Sequence, residues 1–168
     1  MTVPRAAVAL VLREGQDGLE LLLIKRAEVD GDPWSGHIAL PGGREEAEDA
    51  SLEDTAVRET FEETGIDLRR YGRIVWELDE LQPRGGAPIV VQPYVATVGA
   101  DLPPLTLSDE VSAAFWVPLS TFTAPGASVE STVVVRGVER QVPSFRHGEY
   151  VVWGMTERIL RQLVELVG

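Results

Sequence analysis

Hydrophobic residues along this chain fall into short runs broken by turn formers, with two stretches at helical spacing. Residues 4–12 (PRAAVALVL) and 19–25 (LELLLIK) are apolar runs of strand length, and Glu14-Gly15-Gln16-Asp17-Gly18 separates them as a turn cluster. They predict a hairpin leading into a buried sheet. Residues 72–81 (GRIVWELDEL) and 88–98 (PIVVQPYVATV) predict two more strands, joined by a turn over residues 82–87. Pro93 inside the second run predicts an edge strand or a bulge. Residues 102–107 read as a Pro-containing loop. In residues 108–119 (SDEVSAAFWVPL), Glu110 opens a strand whose Phe115, Trp116 and Val117 belong to the core. Residues 127–136 and 137–142 predict another hairpin, centred on Arg136-Gly137. Trp153, Met155, Ile159, Leu160, Leu163 and Val167 recur at helical spacing, which predicts an amphipathic helix over residues 153–167.

A second helix is predicted over residues 51–64. Ser51 with Asp54 three residues on forms a capping pair. Leu52, Ala56, Val57, Thr60 and Phe61 supply a less polar side for packing. Gly65 follows the last turn, where a left-handed cap residue is expected. Strands flanking this helix, then more strands and a terminal helix, point to the α/β class, with a mixed sheet covered by helices.

Composition narrows the function classes more than the fold. With 168 residues, 44% of them hydrophobic and 25% charged, one domain over residues 1–168 is expected. There is no cysteine, so disulfides, zinc–thiolate sites and a cysteine nucleophile are excluded. The lack of cysteine suits a cytoplasmic protein. No apolar run approaches a membrane span, and residues 1–10 hold no signal-peptide core. The net charge is −12, which argues against nucleic acid and against an anionic membrane as partners. A phosphorylated small molecule remains compatible if divalent metal bridges protein carboxylates to phosphate oxygens.

That chemistry has a candidate location in residues 43–66, GREEAEDASLEDTAVRETFEETGI. On a helix, at about 100° per residue, Glu59, Glu62 and Glu63 project within roughly a third of the circumference. Three carboxylates on one face repel unless a cation lies among them. All-oxygen ligation suits Mg²⁺ or Mn²⁺. Arg58 lies one turn before Glu62 and can pair with it. Pro41-Gly42-Gly43 ahead of the helix is a turn whose carbonyl and N–H groups can face an ion or a phosphate. The five fixed residues of R-E-x-x-E-E-x-G, each used at roughly 7%, match by chance on the order of once in several thousand chains of this length. Acidic bias alone is therefore a poor explanation.

The pattern resembles the Nudix box, G-x5-E-x7-R-E-U-x-E-E-x-G-U with U apolar. Gly43 stands at the first Gly, and Arg58-Glu59, Glu62-Glu63, Gly65 and Ile66 match the second half. Asp49 replaces the early Glu, eight residues rather than seven separate it from Arg58, and Thr60 occupies the first U. This spacing resembles the coenzyme A pyrophosphatase branch, where G-x5-D-x8-R-E is common. Leu22-Leu23-Ile24-Lys25-Arg26 matches the L-L-x-x-R of that branch. Residues 36–43 (GHIALPGG) match its G-x-x-x-F-P-G-G with Leu40 for Phe, and W-G-x-T at residues 153–156 resembles the branch's end. Gly31 lies near where its spacer carries an Arg.

The resemblance implies the Nudix fold, an α/β/α sandwich, and a metal-dependent pyrophosphohydrolase. Glu59, Glu62 and Glu63 would hold Mg²⁺ or Mn²⁺, with the Gly42 carbonyl as a further ligand. Glu59 or Glu110 would orient or deprotonate the attacking water, and Arg58 would position the glutamates. The implied substrate is coenzyme A or a derivative, against ADP-ribose, NADH or a nucleoside triphosphate. A nucleotide-binding module without catalysis is the reading from another class. The expected partner is thus a small-molecule nucleoside diphosphate derivative, and a homodimer is compatible with it.

Around the box, several residues have two readings. Residues 26–36 form a loop in which Arg26 is a phosphate clamp or a solvated strand-end charge, and Trp34 a packed anchor or a base-stacking surface. Gly43 and Arg44 are placed at the substrate. Glu77 and Glu80 approach the metal or face solvent, and Glu110 is a site carboxylate or a surface charge. His37 reads as structural. Residues 145–150 (FRHGEY) are a candidate pocket rim through Arg146 or His147.

Overall fold

The computed structural model describes residues 3–31, 36–86 and 88–168. Strands β1 (Arg5–Gly15) and β2 (Gly18–Arg26) form the expected hairpin, but its turn is only Gln16-Asp17. Two short strands follow, β3 (Ile38–Ala39) and β4 (Gly42–Arg44), then helices α1 (Leu52–Thr64) and α2 (Leu68–Tyr71). Strands β5 (Gly72–Glu77), β6 (Val90–Val98) and β7 (Val111–Pro118) complete a seven-stranded sheet. After α3 (Ser120–Thr123), strands β8 (Ser128–Val135), β9 (Val138–His147) and β10 (Tyr150–Trp153) make a second, three-stranded sheet, and α4 (Gly154–Val167) follows.

The large sheet is mixed. Its path is β3-β2-β1-β6-β5, with β4 on β1 and β7 on β2. Among the described residues only the β1–β6 pairing is parallel. β1 is buried on both faces, as a central strand of a covered sheet must be. Leu10 and Leu12 point into the core shared with Leu21, Leu23, Phe122, Phe145, Ile159, Leu160 and Leu163. Ala9 and Val11 point the other way, towards Ile66 and Leu68 at the end of α1 and in α2. Ala7 packs on Ala56 of α1. The sheet thus lies between α1 and α2 on one side and α4 with the small sheet on the other, the α/β/α arrangement of the Nudix fold.

Three local expectations are corrected. β6 is an interior strand, so Pro93 does not mark an edge. Its carbonyl accepts from Leu78 N–H at 3.1 Å, and the irregularity falls on the neighbouring β5, between Ile74 and Trp76. The run predicted as a strand to residue 81 leaves the ladder after Glu77 and returns as a single bridge, Leu81 to Val91. Phe61 does not pack beneath α1; it is exposed, while Ala56 and Thr60 form the buried face. The hairpin at Arg136-Gly137 is as expected, with positive φ of 52° and 77°. Among the described residues no helix is long and apolar enough to cross a membrane.

Candidate active site

The box helix is fixed at both ends by its own sequence. Ser51 Oγ accepts from Asp54 N–H at 3.2 Å, and Gly65 (φ 80°) closes the C-terminus by donating to the Phe61 carbonyl. The Asp54 carboxylate is not part of a reciprocal cap and instead bonds Arg69. The loop before β7 is tied to the last turn of α1. Thr106 N–H donates to the Thr64 carbonyl at 2.9 Å and Ser108 N–H to the Glu63 carbonyl at 3.1 Å. These bonds bring Glu110, two residues on, to the acidic end of the helix.

Arg58 is the hub on one side. Its guanidinium grips Asp49 with two bonds, Nε to Oδ1 and Nη2 to Oδ2, both 2.9 Å. It also donates to Glu59 Oε1 at 2.8 Å and to the Arg44 carbonyl at 3.0 Å. The expected Glu62 partner is reached only at 3.3 Å, and its side chain is 54% exposed. Asp49, at 5% exposure, accepts also from Glu46 N–H and Thr55 Oγ1. The Arg58 bonds hold its carboxyl far below the ordinary range against the cost of burial, and Asp49 in turn raises the Arg58 guanidinium. Asp49 as the anchor of Arg58 was missed by the spacing argument, which considered only residues one turn apart on the helix.

The other side is short of cations. Glu63 is buried, with Oε1 accepting from Gly42 N–H at 2.8 Å. Burial pushes its carboxyl up to about 7; Glu59 and Glu110 add to the rise, while the Gly42 N–H and Arg26 oppose it. Glu59 is also raised, first by burial, then by Glu62 and Glu110, against the pull of Arg58. Among the described residues no three such groups converge as a ready-made metal cage. One oxygen of Glu59 is turned to Arg58 and one of Glu63 to Gly42. The donor set still fits a hard divalent ion: its oxygens are all carboxylate, and their charges are only partly offset.

The glycines have steric reasons. A Cβ on Gly43 would lie 2.5 Å from the Glu59 carboxyl carbon, and one on Gly42 2.3 Å from the Ala7 carbonyl oxygen. Arg44 is exposed at the end of β4, and its tie to the cluster runs through its carbonyl. Arg26 is exposed at the end of β2, close enough to Glu63 to favour its charged form. Trp34 lies outside the described residues. Glu77 and Glu80 are exposed, and Glu80 pairs with Arg5. His37 stacks at a tilt on Trp153, with ring centroids 5.3 Å apart. The FRHGEY segment ends β9, turns at Gly148-Glu149 and opens β10. It presents Glu149 and Tyr150, rather than Arg146 or His147, to a cleft.

A helix bearing R-E-x-x-E-E-x-G, laid against a glycine strand on a mixed sheet, defines the Nudix class. The chain belongs to the Nudix hydrolase family, a family acting on phosphoric anhydrides and generally using divalent metals: the NUDIX domain model matches residues 3–136. It is similar to the uncharacterized Nudix hydrolase NudL of Salmonella paratyphi B, 35% identical over 165 residues, covering 98% of this chain and 83% of NudL. It is 37% identical over 131 residues to the uncharacterized protein C14C4.10c of Schizosaccharomyces pombe, covering 74% of this chain but only 40% of that protein's length. In structure it resembles the NUDIX domain of Shewanella oneidensis NrtR complexed with ADP ribose. The TM-score is 0.66, with 18% identity over 100% of this chain and 90% of the other, a likeness of fold.

Proposed function

We propose that the chain is a divalent-cation-dependent pyrophosphohydrolase acting on a nucleoside diphosphate derivative. The observation that carries this reading is the crowding of Glu59, Glu62, Glu63 and Glu110 at one end of α1, with Glu63 pushed up to about 7. Glu59, Glu62 and Glu63 would hold Mg²⁺ or Mn²⁺, with the Gly42 carbonyl as a further ligand. Such an ion, when bound, neutralises pyrophosphate charge and lowers the pKa of the attacking water. Glu59 or Glu110 takes up the proton of that water. Arg58 holds Glu59 in position and is itself held by Asp49. Arg26 and Arg44 would meet the phosphates beside Gly43, whose lack of a side chain leaves room for the Glu59 carboxylate.

Within that class we infer coenzyme A or a derivative as substrate, on sequence grounds alone: the Asp49 spacing, residues 22–26 and W-G-x-T at 153–156. ADP-ribose is the first competitor, since a structural neighbour is complexed with it. A cytoplasmic setting goes with this reading. The test is a product screen with Mg²⁺ and with Mn²⁺ over coenzyme A, dephospho-coenzyme A, ADP-ribose, NADH and nucleoside triphosphates. Cleavage of coenzyme A well above dephospho-coenzyme A is expected. Preference for another compound keeps the chemistry and removes coenzyme A. No cleavage at all leaves a nucleotide-binding module. The Glu62→Gln variant, at an exposed position that the fold tolerates, should lose turnover by orders of magnitude, and near-normal turnover would sink the assignment.

A further inference from the structure

The small sheet ends in an open edge. Its order is β10-β9-β8, so among the described residues β8 has a strand partner on one side only. Both ends of the large sheet's path are blunted: β3 is two residues long, and β5 breaks register between Ile74 and Trp76. β8 has no such guard. It pairs with β9 without a register break from Ser128 to Val135, and it holds no Pro and no Lys. It ends in Val133, Val134 and Val135; Val134 is 62% exposed, and Val138 beyond the turn is 56% exposed. An unguarded apolar edge is a template for another strand.

The turn fixes which backbone groups face out. Arg136-Gly137 is a two-residue turn with positive φ at both positions, so Val135 and Val138 close it as a hydrogen-bonded pair. Bonded pairs alternate along an antiparallel ladder. Val133 with Arg140 and Ser131 with Val142 are therefore bonded pairs, and the N–H and C=O groups of Glu130, Thr132 and Val134 point off the free edge. Pro143 agrees with this phase: it stands opposite Glu130, at a position where β8 needs no N–H. Two charges bracket the apolar tip. Glu130 and Arg136 are exposed, and among the described residues neither is in an ion pair.

We propose that β8 pairs antiparallel with β8 of a second copy of the chain, about a two-fold axis at Val133. The contact joins two three-stranded sheets into one, with the same patch used by both copies. In this register Glu130 faces Arg136 of the second copy, and Arg136 faces its Glu130. Thr132 faces Val134, and Val133 faces Val133. Moving the axis to Thr132 sets Glu130 against a valine, and moving it to Val134 carries Glu130 past the end of the facing strand. The charges of β8 and its turn thus complement each other in one register. Exposed ion pairs add little affinity, but they fix register and orientation. One strand pair is a small contact, so the association is concentration-dependent. None of these residues belongs to the acidic cluster of α1, so the inference stands apart from the proposed chemistry.

Sedimentation velocity on the whole chain tests it at ~0.15 M ionic strength, where repulsion between two copies of net charge −12 is screened beyond about 8 Å. The dimer fraction should rise with concentration. Thr132→Pro removes an outward N–H that the β8–β9 ladder does not use, so it should keep the circular dichroism spectrum and abolish the dimer. Glu130→Arg sets arginines face to face and should weaken association about ten-fold or more; adding Arg136→Asp should restore it. Asp-Gly suits this turn type, so the added change keeps the hairpin. Disulfide trapping reads the register, because the chain has no cysteine of its own. Val133→Cys lies on the axis in a pair without hydrogen bonds, where Cα atoms are ~4.5 Å apart and a disulfide fits. It should link under mild oxidation faster than Val134→Cys, although Val134 is the more exposed residue. A dimer that persists in Thr132→Pro, or faster linking at Val134, overturns the proposal. So does a chain that stays monomeric at every concentration, a result that leaves the edge to an extended segment of another protein.

Discussion

Asp49 beside α1 and Glu63 in its last turn are both nearly buried carboxylates, and they are displaced in opposite directions. Asp49 accepts two bonds from Arg58, one from Thr55 and one from the Glu46 N–H, so its charge is fully answered. Glu63 accepts from one backbone N–H, is partly offset by Arg26, and lies near two other carboxylates. The first region is a finished ion network, which serves to hold the helix and Arg58 in place. The second is left with more negative charge than its own residues neutralise. The difference separates the part of the box that holds the helix from the part where we propose that a cation binds.

The sharpest way to break the comparison is Glu63→Gln. The amide oxygen can still accept from Gly42 N–H, so the fold is kept. Turnover should fall by on the order of 100-fold or more, since loss of a ligand costs at least what loss of its supporting partner does. Steady-state kinetics at saturating Mg²⁺ measure this, and a loss under ten-fold would remove Glu63 from the metal set.

The next effect concerns pH. The Glu63 pKa rises from 4.5 to about 7 in the folded chain, so between those values the folded state keeps a proton that the unfolded state releases. Stability without metal therefore falls as pH rises through that window, by roughly 3 kcal/mol from this group. Millimolar Mg²⁺ or Mn²⁺ should restore it above pH 7. Asp49 has the opposite sign: its contribution is present above its unfolded value of 3.8 and is lost on acidification below it. Denaturant melts at pH 5 and pH 8, with and without metal, read the Glu63 effect, and metal-free melts taken from pH 5 downwards read that of Asp49. A Glu63→Gln variant should lose most of the slope between pH 5 and pH 7, Glu59 keeping a smaller part, and persistence of the full slope would assign it to another group.

Asp49→Asn attacks the finished side. It leaves Arg58 without its two-bond partner and should cost about 2–3 kcal/mol, somewhat below the cost of breaking a fully buried pair, because Arg58 is partly exposed. The loss should show in stability and in turnover together, since Glu59 is held through Arg58. A stability loss with turnover intact would mean that Glu59 finds its place without the anchor.

Much of this was legible in the sequence because it is local. The caps at Ser51 and Gly65, the β1–β2 hairpin and the Arg136-Gly137 turn are each set by residues a few positions apart. What was illegible depends on contacts made across the fold. Asp49 reaches Arg58 from a loop outside the helix, so helical spacing could not reveal it. Pro93 looked like an edge because strand pattern does not show that only its carbonyl is needed there. The second sheet was hidden because β10 is four residues long and its pairing with β9 follows from a turn, Gly148-Glu149, that read as pocket rim. Glu110 was placed correctly at the start of a strand, but its nearness to Glu59 and Glu63 comes from the Thr106 and Ser108 bonds to α1.

The smallest effect is at Thr60, where the box pattern has an apolar residue. Its side chain is fully buried, and among the described residues its Oγ1 has no hydrogen-bond partner. It lies on the packed face of α1 and bonds to neither the Asp49–Arg58 network nor Glu63. Valine has nearly the same shape and the same branching at Cβ, so neither the packing nor the χ1 restriction changes. Removing an unsatisfied hydroxyl should then stabilise the chain by about 1 kcal/mol, at the lower end of the cost of burying one. For a domain of this size that is a rise of about 2–4 °C in Tm. The metal-free pH slope set by Glu63 should be unaffected, and so should turnover. A fall in Tm in Thr60→Val would show that the hydroxyl is bonded in solution, and would make this departure from the box pattern a structural feature of α1 instead of a tolerated flaw.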